Sequence, residues 1–189
     1  TAKDFKATVE LLKDKDLKFL IIKLDTPGGT IEASRELADY IDNLSDTGIE
    51  TFGWVPNGRS AYSGGTLVAF SCRNLAMGDN SRIGDVQPID FLGNELPEKI
   101  QTTVRADMRR WARERGYPTA LAEAMVTKEL GVLRVRSGQR SERYLTDQEL
   151  EDLTPAERAA SSVERIVESG EILTIDEEEA FEHGFISYI

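Results

Sequence analysis

The sequence predicts an α/β domain. Short apolar runs of strand length alternate with longer segments of helical spacing, the connections between them are short, and a Pro-Gly-Gly turn follows the first run. Phe5, Val9 and Leu12 fall at helical spacing, so the first dozen residues read as one amphipathic helix. Lys18-Phe19-Leu20-Ile21-Ile22-Lys23-Leu24 then suits a buried parallel strand. The turn Asp25-Thr26-Pro27-Gly28-Gly29 ends it, and a helix from about Thr30 to Asn43 follows, with Ile31, Leu37, Ala38 and Ile41 inward. Glu50 to Val55 is a second strand, and Asn57-Gly58-Arg59-Ser60 a loop. The pattern from Ser63 to Ser71 is helical, and Leu75-Ala76-Met77 is a third strand.

The second half is less regular. Lys99 to Arg115 predicts a long helix closed by Gly116 and Pro118, and a shorter one covers about Thr119 to Met125. Strand-like fragments follow at Val132–Val135 and Ile172–Ile175. Three pairs spaced as capping boxes mark helix starts: Thr146 with Glu149, Thr154 with Glu157, and Thr174 with Glu177. Pro155 at the first helical position strengthens the second. The acidic run Asp176-Glu177-Glu178-Glu179 fits a helix N-terminus better than a metal site, since no histidine or cysteine accompanies it.

At 189 residues the chain suffices for one domain with its own core. A net charge of −11 provides no basic footprint for nucleic acid. The apolar runs are too short to span a bilayer, and residues 1–15 read as a charged helix rather than a signal peptide. The single cysteine, Cys72, lies in an apolar stretch and reads as a buried structural thiol.

Chemistry gathers around Ser63, in Ala61-Tyr62-Ser63-Gly64-Gly65. A serine among small residues, opening an apolar helix, is how many hydrolases present a nucleophile, and it needs a base to take its proton. The one histidine, His183, stands at the end of the last helix before Gly184, a routine helix ending. Of the two lysines after Ser63, Lys128 sits in a polar stretch beside Glu129, whereas Lys99 stands where a loop becomes a helix. Lys99 is therefore the preferred base. A lysine acts as a base only when neutral, which requires burial. Leu96, Pro97 and Ile100 are the local apolar cover, to be completed by a subunit interface or by substrate. Glu98 is expected to face solvent or a hydroxyl. For the oxyanion, the Gly64 amide is one natural donor, and the Pro-Gly-Gly turn supplies the other, Gly29 first and Gly28 second.

These motifs, together with Met77-Gly78-Asp79-Asn80-Ser81-Arg82-Ile83-Gly84, resemble in order and spacing the Clp-peptidase/crotonase-like proteases. The NfeD branch, membrane-bound serine proteases related to signal peptide peptidase A, is the most similar. Pro97-Glu98-Lys99-Ile100 matches the site of that branch's catalytic lysine, and Glu123–Val126 and Glu179–Ile186 also resemble NfeD segments. The resemblance implies repeated ββα-type units, a mostly parallel sheet flanked by helices, and a serine endopeptidase without cofactor or metal that cleaves apolar peptides. It further implies a stomatin-like membrane partner, homo-oligomers and an extracytoplasmic membrane location. Val86 stands before Gln87-Pro88 where Clp peptidases carry a catalytic histidine, which excludes a histidine triad. Two departures follow. Tyr62 replaces the usual small residue before the nucleophile and narrows a substrate subsite, and the family's strand ahead of the first helix is missing. The 189 residues are thus expected to be a soluble piece of a longer anchored protein. Two other readings are a catalytically silent assembly module for a stomatin-like protein, and an acyl-CoA enzyme of the crotonase type.

Overall fold

A computed structural model describes residues 1–13, 15–90, 92–138 and 141–187. Two units emerge, Thr1–Val86 with Thr174–Ile189, and Gln87–Leu173. The first unit opens with α1 (Ala2–Lys13), β1 (Phe19–Lys23), α2 (Ile31–Asp46) and β2 (Glu50–Val55), then β3 (Ser60–Tyr62), α3 (Gly64–Ser71), β4 (Asn74–Met77) and β5 (Arg82–Gly84). The second holds α4 (Glu98–Arg115), α5 (Thr119–Ala124), β6 (Val132–Ser137), β7 (Ser141–Thr146), α6 (Asp147–Glu151), α7 (Pro155–Ala159) and β8 (Ser161–Val167). β9 (Thr174–Asp176) and α8 (Glu177–Glu182) again belong to the first unit.

In the first unit a parallel sheet runs in the order β1-β2-β4, with Ile22, Gly53 and Leu75 in register across it. Gly53 lets α3 come close: a methyl there would stand 3.4 Å from both the Ala69 Cα and the Cys72 Sγ. That approach buries Cys72, Ala69 and Phe70, as expected for the thiol. Only one face of β1 is buried, through Ile22 and, just past the strand, Leu24, while Phe19 and Ile21 each remain 67% exposed. This corrects the expectation of a fully buried strand; α2 and α3 pack on β2, and β1 buries only alternate side chains. Beside the sheet, Val9 of α1 packs with Leu44 and Ile49, and Phe5, Leu20 and Tyr40 close around them.

A second small sheet, β3-β5-β9, is parallel between its first two strands and antiparallel between the last two. Its pairing explains one correction. Thr174 does not cap a helix, because it lies opposite Gly84 in β9. The capping box is Asp176 with Glu179, and Glu177 instead accepts the Asn80 amide at 2.7 Å. His183 caps the end of α8 before Gly184 (φ 79°), as expected for a helix ending.

The second unit carries an antiparallel sheet, β7-β6-β8, of which only the start of β6 was legible as a strand. β7 and β8 are rich in Ser, Glu and Arg, so their alternation is masked by charge, and Arg134 lies buried between them, paired with Glu164. Ile172 and Leu173 fall outside a strand, with β9 beginning at Thr174. The boxes Thr146–Glu149 and Thr154–Glu157 are both formed, and α4 ends at left-handed Gly116 (φ 76°). No described helix is long and apolar enough to cross a membrane.

Candidate active site

Ser63 joins β3 to α3 with φ 51° and ψ −116°. A non-glycine residue rarely takes this conformation, which costs about 1–3 kcal/mol unless neighbours enforce it. The neighbours are present. The Ser63 N–H donates to the Gly84 carbonyl at 3.0 Å, and the Ser63 carbonyl accepts from Thr66 and Leu67 as α3 begins. Thr66, fully buried, ties the same junction: its hydroxyl accepts the Gly84 N–H at 2.9 Å and donates to the Ala61 carbonyl at 2.7 Å. The sharp strand-to-helix turn leaves Ser63 half-buried, whereas every residue of α3 after it is buried.

The Pro-Gly-Gly turn lies directly against this serine. A methyl on Gly28 would stand 2.8 Å from the Ser63 Cβ and 3.2 Å from its Oγ, and Gly28 holds φ +126°. Only glycine satisfies both constraints. The structure also separates the two candidate donors of the turn. The Gly28 N–H donates to the Thr26 Oγ1 at 3.1 Å, whereas the Gly29 N–H has no acceptor among the described residues. The Gly64 N–H opens α3, where the helix itself offers no acceptor. A methyl on Gly64 would come within 3.3 Å of the Gly29 nitrogen, so the two residues whose amides are free are packed against each other. Tyr62, half-buried at the end of β3, donates its N–H to the Thr26 carbonyl at 3.0 Å.

A cavity of about 610 Å³ adjoins Gly28, Gly64 and Gly65 and runs between α1, β1, α2 and α3; Leu24, Leu37 and Val68 are among its apolar walls. Sequence reasoning missed Thr26, Ser34 and Thr66 here. Small hydroxyl residues in a glycine-rich stretch are ordinary turn formers, and only their spacing from the turn and from Ser63 was a signal.

In the second unit Lys99 is the second residue of α4 and is exposed, so Leu96, Pro97 and Ile100 do not cover it. Glu98 meets the hydroxyl expected of it, accepting from Thr102 at 3.1 Å and from Arg105 at 3.2 Å. Lys128 is occupied by a salt bridge to Glu95, which lifts its pKa above the ordinary lysine value, first through the hydrogen bond and then through the charge. That leaves it poorly suited to be a neutral base. Val86, at the position where a Clp peptidase has histidine, is buried.

The model of the NfeD1b N-terminal domain matches residues 5–180. Among curated proteins, the membrane-bound protease PH1510 of Pyrococcus horikoshii is 30% identical over 138 residues, 70% of this chain. The membrane protein NfeD1b of Bacillus subtilis is 27% identical over 124 residues, 63% of this chain. The chain spans 31% and 27% of these two relatives' lengths. A 1510-N membrane-bound stomatin-specific protease, solved with a substrate peptide, superposes with TM-score 0.67 at 24% identity and covers 98% of this chain and 66% of that one. ClpP1 from Listeria monocytogenes gives TM-score 0.55 at 13% identity, over 98% of this chain and 81% of that one. The fold is Clp-peptidase-like, a parallel sheet with flanking helices.

Proposed function

The chain belongs to the NfeD1b N-terminal-domain family, and we propose that it is a serine endopeptidase with Ser63 as nucleophile and Lys99 as general base. The observation that carries the reading is the strained Ser63 turn, held against Gly28 and flanked by the unpaired amides of Gly29 and Gly64. Once a subunit interface or the bound substrate covers it, Lys99 takes the Ser63 hydroxyl proton as Oγ attacks the peptide carbonyl carbon. The carbonyl oxygen becomes an anion that the Gly29 and Gly64 N–H groups receive. On collapse the C–N bond breaks, the lysine ammonium returns its proton to the leaving amine, and an acyl-enzyme remains for water to hydrolyse by the same route. Tyr62 bounds one subsite. Apolar peptide segments are the substrate class, with a stomatin-like membrane protein as partner and homo-oligomers acting on the extracytoplasmic side of a membrane. The assignment of Lys99 is supported by its sequence motif and by the engagement of Lys128 elsewhere.

Fluorophosphonate labelling that disappears in Ser63→Ala is the expected result. Lys99→Ala should lower cleavage of an apolar peptide at least a hundredfold; unchanged cleavage refutes the dyad. The exposure of Lys99 favours one second reading, a catalytically silent assembly module. Undiminished complementation of a deletion strain by Ser63→Ala would select it.

A further inference from the structure

We propose that the Ser34 hydroxyl is a third donor at the oxyanion site, beside the Gly29 and Gly64 amides; this rests on Ser63 being the acylated nucleophile. Ser34 is the fourth residue of α2, its N–H donates to the Thr30 carbonyl at 3.0 Å, and the residue is only 9% exposed. The helix therefore holds its Cβ in place. A methyl on Gly64 would stand 2.0 Å from the Ser34 Oγ and 2.9 Å from its Cβ, and a methyl on Gly29 would stand 3.5 Å from the same Oγ. The hydroxyl thus occupies the space that a side chain at position 64 would fill. It lies against both residues whose amides are free.

A serine within a helix commonly turns its hydroxyl back onto the carbonyl four residues earlier. Ser34 does not: among the described residues its hydroxyl has no hydrogen-bond partner. Its oxygen is not sealed from solvent as the Ser45 and Ser81 hydroxyls are, so it is open to the adjoining space and free to donate to a bound acceptor. An acceptor can reach it from the cavity that Ser34 lines with Gly28, Gly64 and Gly65. Two helices also begin here, α2 after Thr30 and α3 at Gly64, and their N-terminal ends favour an anion. A developing alkoxide from the attacked carbonyl meets all of these demands. The other hydroxyls on the same cavity are committed elsewhere: Thr26 to Gly28 through both its donor and its acceptor, and Thr1 and Thr8 as donors to Asp4.

The test compares the full chain with Ser34→Ala and Ser34→Cys, using an apolar fluorogenic peptide, a fluorophosphonate and a peptide boronate. Thermal melts run alongside, and the cysteine variant carries the test if alanine at this site impairs folding. A donor acting in the transition state predicts kcat lowered about tenfold or more with KM unchanged, and boronate binding weakened by a similar factor. The cysteine variant fills the volume with a poor donor, so it should be as slow as alanine. Wild-type kcat in Ser34→Cys would mean that the hydroxyl only packs, and wild-type kcat in both variants would mean that it does nothing; each overturns the proposal while fluorophosphonate still labels Ser63. A parent chain that fluorophosphonate never labels would overturn the nucleophile reading itself, and the proposal with it.

Discussion

Thr66→Val is the most direct probe of how the Ser63 turn is held. Valine keeps the shape and removes only the hydroxyl, which accepts the Gly84 N–H at 2.9 Å and donates to the Ala61 carbonyl at 2.7 Å. The Gly84 carbonyl keeps the Ser63 N–H, so the loss falls on one orphaned buried donor and one weakened acceptor. A buried polar group left unpaired costs about 1–3 kcal/mol, so the pair together should cost about 2–3 kcal/mol. For a chain of this size each kcal/mol lowers Tm by about 2–4 °C, which predicts a fall of about 5–10 °C by calorimetry. Amide exchange should report the place as well as the amount, with faster exchange at Ser63 and Gly84 and little change in α1. A Tm within about 1 °C of the parent, with both amides equally protected, would refute the reasoning. It would mean that the turn is held by packing of α3 alone.

Two further predictions concern the same unit. Ser63→Gly should raise stability by about 1 kcal/mol by releasing the left-handed strain while abolishing labelling, whereas Ser63→Ala keeps the Cβ and should leave the melt nearly unchanged; denaturant unfolding of the two variants separates them, and a less stable glycine variant contradicts the strain. Hydrogen bonds from Lys13, then from Tyr40, hold the Glu10 carboxyl below its ordinary value of 4.5. A depressed carboxyl stabilises above its unfolded value and loses that contribution as pH falls through the folded one. Acid titration of α1 helicity should therefore show a loss below pH 4.5 that is shallower in Tyr40→Phe; identical acid limbs would show that Glu10 does not hold α1.

The parallel half of the fold was legible because its signals are local. Strand-length apolar runs in Phe19–Lys23 and Glu50–Val55, helical spacing in Ile31–Asp46 and a glycine turn between them each state their own conformation. β3 and β5 were not legible, being three residues each and defined by pairing with one another and with β9. The same nonlocality misplaced the third capping box. Thr174 and Asp176 both stand three residues before a glutamate, and only the pairing of Thr174 with Gly84 decides between them. At the site, the sequence named Ser63 and both glycines by residue type. Which glycine keeps a free N–H depended on where the Thr26 hydroxyl points, a three-dimensional fact.

Strain at Ser63 is the link between these observations. A serine at φ 51° persists only if the surrounding bonds outweigh the roughly 1–3 kcal/mol that it costs. Four groups make those bonds. The Gly84 carbonyl takes the Ser63 N–H, the Thr66 and Leu67 amides donate to the Ser63 carbonyl, and the Thr66 hydroxyl bridges β3 and β5. At about 1 kcal/mol net for each hydrogen bond, they exceed the cost, but not by a wide margin. The turn must therefore be cooperative, and loss of any one bond should shift it more than its own value suggests. Gly28 completes the logic from the other side. With its φ of +126° and no Cβ, it lets the turn close to contact with the Ser63 side chain. Any larger residue there would have to push Ser63 out of the conformation the four groups hold. The glycine turn and the strained serine are accordingly one structural element, and substitution at either should be felt at both.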